Sequence, residues 1–227
     1  ILKRSTDAGL SWSDRLPVPA SFVGAHNAPT IHRLIDSDGK RRIFLNTSFP
    51  AMRSSLSEDD GKTWTDLELM WRKNKWRRGF KGHAPMKSVI PIDCGGYLGM
   101  YHDHFEDDAG QQVVIPFTTV TTDGGLTWSD PIRTGVHTSQ PGAQPCEPCL
   151  LRNPADGRIV ALLRENSGDH QSLMMYSDDD GQSWSEMTEV QPPLTGSRHI
   201  ARFSPDGRIV VTMRDTATDS SPHGDFV

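Results

Sequence analysis

Three features of the 227-residue sequence predict an all-β fold made of repeated four-stranded units. One eight-residue pattern occurs four times, a turn-and-strand signal recurs between its copies, and the 3.6-residue apolar period of an amphipathic helix is nearly absent. The pattern reads STDAGLSW at 5 to 12, SEDDGKTW at 57 to 64, TTDGGLTW at 121 to 128 and SDDDGQSW at 177 to 184. Its shared form is Ser/Thr, any residue, Asp, any residue, Gly, any residue, Ser/Thr, Trp. Four matches at five constrained positions exclude coincidence. The repeat aspartates Asp7, Asp59, Asp123 and Asp179 stand 52, 64 and 56 residues apart, and a period of that size marks an array of similar units.

The second signal supplies the hairpins. DSDGKRRIFL (36 to 45), PIDCGGYLGM (91 to 100), PADGRIVALL (154 to 163) and SPDGRIVVTM (204 to 213) each run from Asp and Gly, or a Gly pair, into aliphatic and β-branched residues, as a tight turn entering a strand does. One unit shows the full set. CLLRN (149 to 153) is a strand, PADGR the turn, IVALLREN (159 to 166) the second strand and SLMMYS (172 to 177) the third, after which the eight-residue pattern turns the chain into a short fourth. Four strands per unit at this period fit a β-propeller, whose radial blades leave only short, protected edges. Within the pattern the Asp carboxylate accepts hydrogen bonds from its own turn, Gly permits positive φ and Trp packs the unit, so the repeat aspartates are structural and not catalytic. The first pattern has no room before it for two strands, and the last hairpin opens a unit close to Val227. Residues 1–227 are therefore expected to form a single propeller domain, a fragment with about three complete blades and partial blades at both ends.

Composition narrows the function. A net charge of −5 and a pI near 6.0 argue against nucleic acid as a partner. No apolar run approaches the roughly 18 residues of a membrane span, and ILKRSTDAGL is not a signal peptide. A secreted or periplasmic location is expected only if such a peptide precedes Ile1. The basic run from Arg72 to Lys81 reads as a solvated loop, with a rim attracting anionic glycans as the alternative. Cys94, Cys146 and Cys149 give no disulfide framework, and the lone CxxC of QPCEPCLL is read as two buried thiols beside a strand start.

Polar residues recur in register just ahead of the first strands. GAHNAPTIHR (24 to 33), KGHAPMKSVI (81 to 90), PCEPCLLR (145 to 152) and GSRHIAR (196 to 202) offer His26 with Asn27, His83, Glu147, and Arg198 with His199. In a propeller these positions line one mouth of the central channel. The ends of the second strands add Arg164 with Glu165, Arg214 with Asp215, and His102, Asp103 and His104. A guanidinium at the end of an apolar strand either pairs with a neighbouring acid or captures a substrate carboxylate through its planar fork. No metal and no cofactor are expected, because strand alternation turns Asp103 away from His102 and His104.

The eight-residue pattern resembles the Asp box of bacterial sialidases and related propellers, where it forms the turn between a blade's third and fourth strands, away from the substrate. The resemblance implies a six-bladed propeller. It also implies a chemistry, since sialidases use three arginines for the sialic carboxylate, a tyrosine nucleophile supported by a glutamate, and an aspartate acid/base. CEPCLLRNPADGRIVALLR is similar to the family stretch in which the glutamate begins one strand and an arginine ends the next. This implies Glu147 as the partner of the tyrosine and Arg164 as a carboxylate ligand, with Arg214 as a further ligand one unit later. The chain departs from the family at other points. Tyr97, Tyr101 and Tyr176 all fall inside predicted strands, and the Arg-Ile-Pro motif and its aspartate acid/base are absent.

The reading is a sialidase-like exo-glycosidase that removes terminal sialic or similarly acidic sugars from a glycan. Its catalytic residues are Glu147, His26 and His83, and its substrate-binding residues are Arg164, Arg214, Arg198, His199 and Asn27. Two alternatives stand beside it: a histidine-dependent glycosidase or lyase on acidic polysaccharide, centred on HNAP and GHAP, and a non-catalytic glycan-binding propeller. Composition leaves the oligomeric state open.

Overall fold

The computed structural model describes residues 2–25, 29–48, 51–71, 80–135, 140–215 and 225–226, with backbone alone at 80–83 and 225–226. Among them the only helical segments are two 3-10 turns of three residues each, Ala20–Phe22 and Pro192–Leu194. Everything else of regular structure is antiparallel sheet.

The first sheet runs in the order β1 (Thr30–Ile35), β2 (Arg41–Thr47), β3 (Arg53–Ser57), β4 (Glu68–Leu69). The third has the same order with β10 (Pro145–Arg152), β11 (Ile159–Glu165), β12 (Leu173–Ser177) and β13 (Thr188–Glu189). A fourth comprises β14 (Gly196–Phe203), β15 (Ile209–Asp215) and β16 (Asp225–Phe226). The second departs from the expected four strands. Its first strand is split into β5 (Phe80–His83) and β6 (Ser88–Ile92), both paired with β7 (Gly96–Glu106), followed by β8 (Gln112–Thr121) and β9 (Ile132–Arg133). There β7 and β8 are 11 and 10 residues long, because the ladder continues to the pair Glu106 and Gln112.

The predicted hairpin turns are present in all four sheets. The Asp36 amide donates to Lys40 O at 3.0 Å, that of Asn153 to Arg158 O at 2.8 Å and that of Ser204 to Arg208 O at 2.8 Å, while the Gly95 amide closes the second sheet's turn on Ile92 O at 3.1 Å.

Each Asp box wraps the chain around its own carboxylate. Asp59 accepts the Ser57 hydroxyl at 2.8 Å, the Thr63 amide at 2.9 Å and the Thr63 hydroxyl at 2.6 Å; Ser57 Oγ in turn accepts the Gly61 amide at 2.7 Å. Asp179 repeats this with the Ser177 hydroxyl and the Ser183 amide, both at 2.8 Å. The sequence places positive φ at the box glycine alone, but the residue before it is left-handed too: Ala8, Asp60 and Asp180 have φ of 58°, 59° and 59°. Two successive left-handed residues are what curl the loop tightly enough to surround the aspartate. The glycine also makes room for the preceding sheet, since a Cβ on Gly125 would stand 2.8 Å from Leu34 Cδ1 and one on Gly181 2.6 Å from Leu98 Cδ2.

The hydrophobic cores lie between sheets. Leu34, Phe44 and Met52 of the first region pack with Met86, Tyr101, Phe117 and Trp128 of the second. Leu98 and Met100 pack with Leu150, Ile159, Leu163 and Met175 of the third, and Cys149 and Leu162 meet Ala201 of the fourth. Box tryptophans differ accordingly: Trp128 is 9% exposed against Phe44, with ring centroids 5.1 Å apart, whereas Trp12 is 61% exposed. Packing by the box Trp is thus a property of the seam with a neighbouring sheet and not of the turn itself.

Two outcomes follow from this packing. A Cβ at Gly99 would lie 2.1 Å from the Sδ of fully buried Met86 and 3.0 Å from Trp128, so Gly99→Ala is expected to cost about 1–3 kcal/mol in chemical denaturation through overpacking. The hydroxyl and amide of Thr63 hold the Asp59 carboxyl well below the usual range. A depressed folded-state pKa stabilises above the unfolded value and loses that contribution as pH falls through the folded one. Asp59→Asn is therefore expected to lower Tm at pH 7 and to approach the wild-type Tm progressively below about pH 4; a Tm gap that stays constant on acidification contradicts this.

Candidate functional site

Two residues of opposite charge sit at matching irregularities in adjacent sheets. Against β11, the pairing of β10 slips between Cys146 and Cys149; against β15, that of β14 slips between Ser197 and Ile200. Inside these bulges Glu147 has φ of 46° and Arg198 of 60°. A non-glycine residue held there costs on the order of 1–3 kcal/mol, and a bulge re-aims a side chain that regular alternation would send elsewhere. The sequence puts both residues ahead of their strands. They lie within them, because the ladder resumes beyond the bulge with the pairs Cys146–Arg164 and Ser197–Arg214.

The bulges bring three predicted site residues together. Arg164 Nη1 lies 3.5 Å from Glu147 Oε2, and Arg198 Nε lies 3.9 Å from Oε1. The Glu147 side chain is 15% exposed and Arg164 28%, whereas Arg198, at 64%, reaches into solvent. Arg164 therefore makes the ion pair that is the alternative to substrate capture. Among the described residues Glu147 Oε2 accepts no hydrogen bond, and neither does His199 Nδ1, both being buried. The other His199 nitrogen, Nε2, lies 3.0 Å from Leu194 O and donates to it. Burial lowers the His199 pKa, so the ring is neutral and Nδ1 is a lone-pair acceptor awaiting a donor.

Around this cluster is a cleft of about 410 Å³ to which all four sheets contribute. Thr30, Ile31 and His32 come from β1; Lys87 from just before β6 and Ser88 from its start; Glu147, Pro148 and Cys149 from β10; Arg198, His199, Ile200 and Arg202 from β14. Every one of them falls in the four polar stretches singled out in the sequence. Lys87, Arg198 and Arg202 face a single carboxylate, Glu147, so the cleft favours an anion. The seams are tied by hydrogen bonds at the same level: the Leu150 amide donates to Ser88 Oγ at 2.9 Å and the Ala201 amide to Cys149 Sγ at 3.2 Å.

The remaining predicted residues are placed less directly. His26 and Asn27 lie outside the described residues, as do residues 72–79 of the basic run. His83 is described by its backbone alone, which pairs with Asp103. Arg214 donates from Nε to Ser197 Oγ at 3.1 Å and does not line the cleft. The repeat aspartates do not line it either. Ser177 of the fourth box pairs with Ile159, five residues along β11 from Arg164, which puts the box about 16 Å away at the other end of the sheet. Cys146 and Cys149 are free and buried, as read, and burial pushes the Cys146 thiol up to about 12. His32, Lys87 and Arg202 were missed as individuals. Their stretches were legible, but which residue of a strand faces the cleft depends on register across the seam.

Comparison with known proteins places this arrangement. Residues 175–186 match the model of the BNR/Asp-box repeat. Over 180 residues, 71% of the chain, the sequence is 26% identical to the sialidase of Micromonospora viridifaciens. The chain resembles a bacterial sialidase. It spans 27% of that sialidase's length. An alpha-L-arabinanase of Penicillium chrysogenum, solved with arabinobiose, superposes with a TM-score of 0.61 at 17% identity, covering 99% of this chain and 71% of that one. A Hadza microbial sialidase gives a TM-score of 0.61 at 18% identity, over 95% of this chain and 47% of that one. At such identities the two structural likenesses establish the fold alone.

Glu147 is electrostatically interdependent with Arg164. Arg164→Ala leaves Glu147 Oε2 without its cation and is expected to destabilise by about 1–3 kcal/mol, less than a fully buried pair because the guanidinium is partly solvated. The double variant Arg164→Ala/Glu147→Gln is expected to recover part of that loss, and a double-mutant cycle in urea reads the coupling.

Proposed function

We propose that the four sheets are adjacent blades of a β-propeller and that the cleft is part of the active site of a sialidase-like exo-glycosidase acting on terminal sialic or similarly acidic sugars. The observation that carries this is a largely buried carboxylate, Glu147, on a strained bulge, held by Arg164 and faced by Arg198 in a cleft whose other charges, Lys87 and Arg202, are positive. The likeness to a sialidase and to glycoside hydrolases of the same fold supports it.

In this reading the substrate carboxylate meets the exposed fork of Arg198, with Arg202 and Lys87 adding charge. This reassigns the first contact from Arg164, whose partner is Glu147. A sugar hydroxyl donates to His199 Nδ1, satisfying a buried acceptor. Glu147 takes the proton of the attacking hydroxyl as that oxygen bonds to the anomeric carbon, its negative charge facing the oxocarbenium-like ring until the transfer is complete, and the departing glycosidic oxygen takes its proton from water. In sialidases the attacking hydroxyl is a tyrosine's. Among the described tyrosines, Tyr101 is buried, Tyr97 accepts the Ile35 amide at 2.9 Å and Tyr176 lies under Arg158 at 4.4 Å, so none of the three is assigned that role.

A second reading, a histidine-dependent glycosidase or lyase on acidic polysaccharide, is favoured by one observation. His32 and His199 both line the cleft, and burial lowers the pKa of each, leaving neutral imidazoles able to accept a proton.

The deciding measurement is kcat/KM of the full-length protein on a sialyl or uronyl aryl glycoside beside its neutral-sugar analogue. Arg198→Ala is expected to lose about 10- to 100-fold on the acidic substrate alone, as a charge-assisted contact does, with Arg198→Lys in between. Equal losses on both substrates remove the acidic-sugar reading. An unsaturated uronate as product selects the lyase. Binding without turnover leaves a glycan-binding propeller.

A further inference from the structure

His102 lies on β7 of the second sheet, 4% exposed, yet its ring crosses the seam to the third. Its Nδ1 accepts the amide of Glu147 at 3.1 Å. That amide belongs to a residue at φ of 46° inside the bulge, where the ladder to β11 is interrupted. A buried N–H left over by such an interruption must find an acceptor elsewhere. His102 supplies it from the neighbouring sheet.

We propose that His102 is a positioning residue for Glu147: it holds the amide of the bulge from across the seam and thereby fixes the carboxylate between Arg164 and Arg198. The proposal rests on the reading of Glu147 as the site's carboxylate. Register supports it as a built feature. Thr121 of the third box pairs with Tyr97, and Ser177 of the fourth pairs with Ile159; five residues further on stand His102 and Arg164 respectively. One position in successive sheets thus carries the two side chains that hold Glu147, the Arg164 guanidinium at its carboxylate and the His102 ring at its backbone amide.

An imidazole that accepts at Nδ1 must carry its single proton on Nε2, and a doubly protonated ring would oppose N–H to N–H. The surroundings prevent that. Burial first, and then the charges of His104 on the same strand, Lys87 before β6 and Arg164 on β11, lower the His102 pKa to about 3. The His104 ring stands edge-on to that of His102, centroids 5.0 Å apart, with its own Nδ1 within 2.8 Å of Gln112 Nε2. The lock is therefore closed throughout the neutral and mildly acidic range.

The test separates position from packing. His102→Gln presents a carbonyl acceptor at similar reach; His102→Leu keeps bulk and presents none. In the full-length protein His102→Leu is expected to lower kcat about 10- to 100-fold with KM within about twofold, the effect of misplacing a catalytic group, and His102→Gln to restore most of it. Independently of any turnover, 15N NMR of the wild type is expected to show His102 protonated at Nε2 only, with slow exchange of the Glu147 amide that becomes fast in His102→Leu and slow again in His102→Gln. Losses in both variants that follow Tm overturn the proposal, as does full kcat in His102→Leu. A protein that hydrolyses no glycoside defeats the functional reading; the amide then decides the lock alone, and fast exchange in the wild type overturns it.

Discussion

A four-stranded sheet has two faces and can cover neither by itself. In this chain each sheet buries its apolar face against the next, Leu34 and Phe44 against Trp128, Leu98 and Met100 against Leu150 and Met175, Cys149 against Ala201. The rest of the structure depends on those seams. Box glycines need space as well as positive φ because the loops press on leucines of the preceding sheet. Ion pairs follow the same lines: Arg152 joins Asp180 of its own sheet's box to Asp93 of the sheet before, and buried Arg42 joins Asp36 and Glu58 while donating to the carbonyl of Asp123 in the third box.

The cleft is a product of the same seams. Its polar residues come from one level of four sheets, and charge is distributed so that a carboxylate on one meets guanidinium groups from its own sheet and the next. Bulges make this possible. Regular alternation along β10 would not present Glu147, Pro148 and Cys149 together; the slip between Cys146 and Cys149 does, at the cost of a left-handed glutamate that the hydrogen bond to His102 helps to hold. Backbone strain, a buried acceptor at His199 that has no donor among the described residues, and a carboxylate paired with guanidinium groups are concentrated within one small volume. Such a concentration has no advantage for stability and accords with a site that binds something.

Much of the fold was legible in the sequence because it is local. The Asp box closes on atoms within four residues of its aspartate, and each hairpin turn on atoms within five. Strand lengths were less secure. The second sheet's split first strand and its extended β7–β8 hairpin came from pairing that no window of sequence contains. The four polar stretches were found by their register with the repeat, and they account for every residue that lines the cleft. Glu147, Arg198 and His199 were named on that basis, while His32, Lys87 and Arg202 in the same stretches were not.

The repeat, the turn chemistry, the all-β class and the four polar stretches are written in residue types at short, fixed spacing, so they can be read from the chain alone. Pairing across sheets sets Arg164 against Glu147, leaves Arg198 exposed to solvent, and brings His102 to the backbone of a residue 45 positions away. The physical reason is register. A one-residue slip in a strand reverses every side chain beyond it, and whether that slip occurs is settled by the strands and sheets on either side.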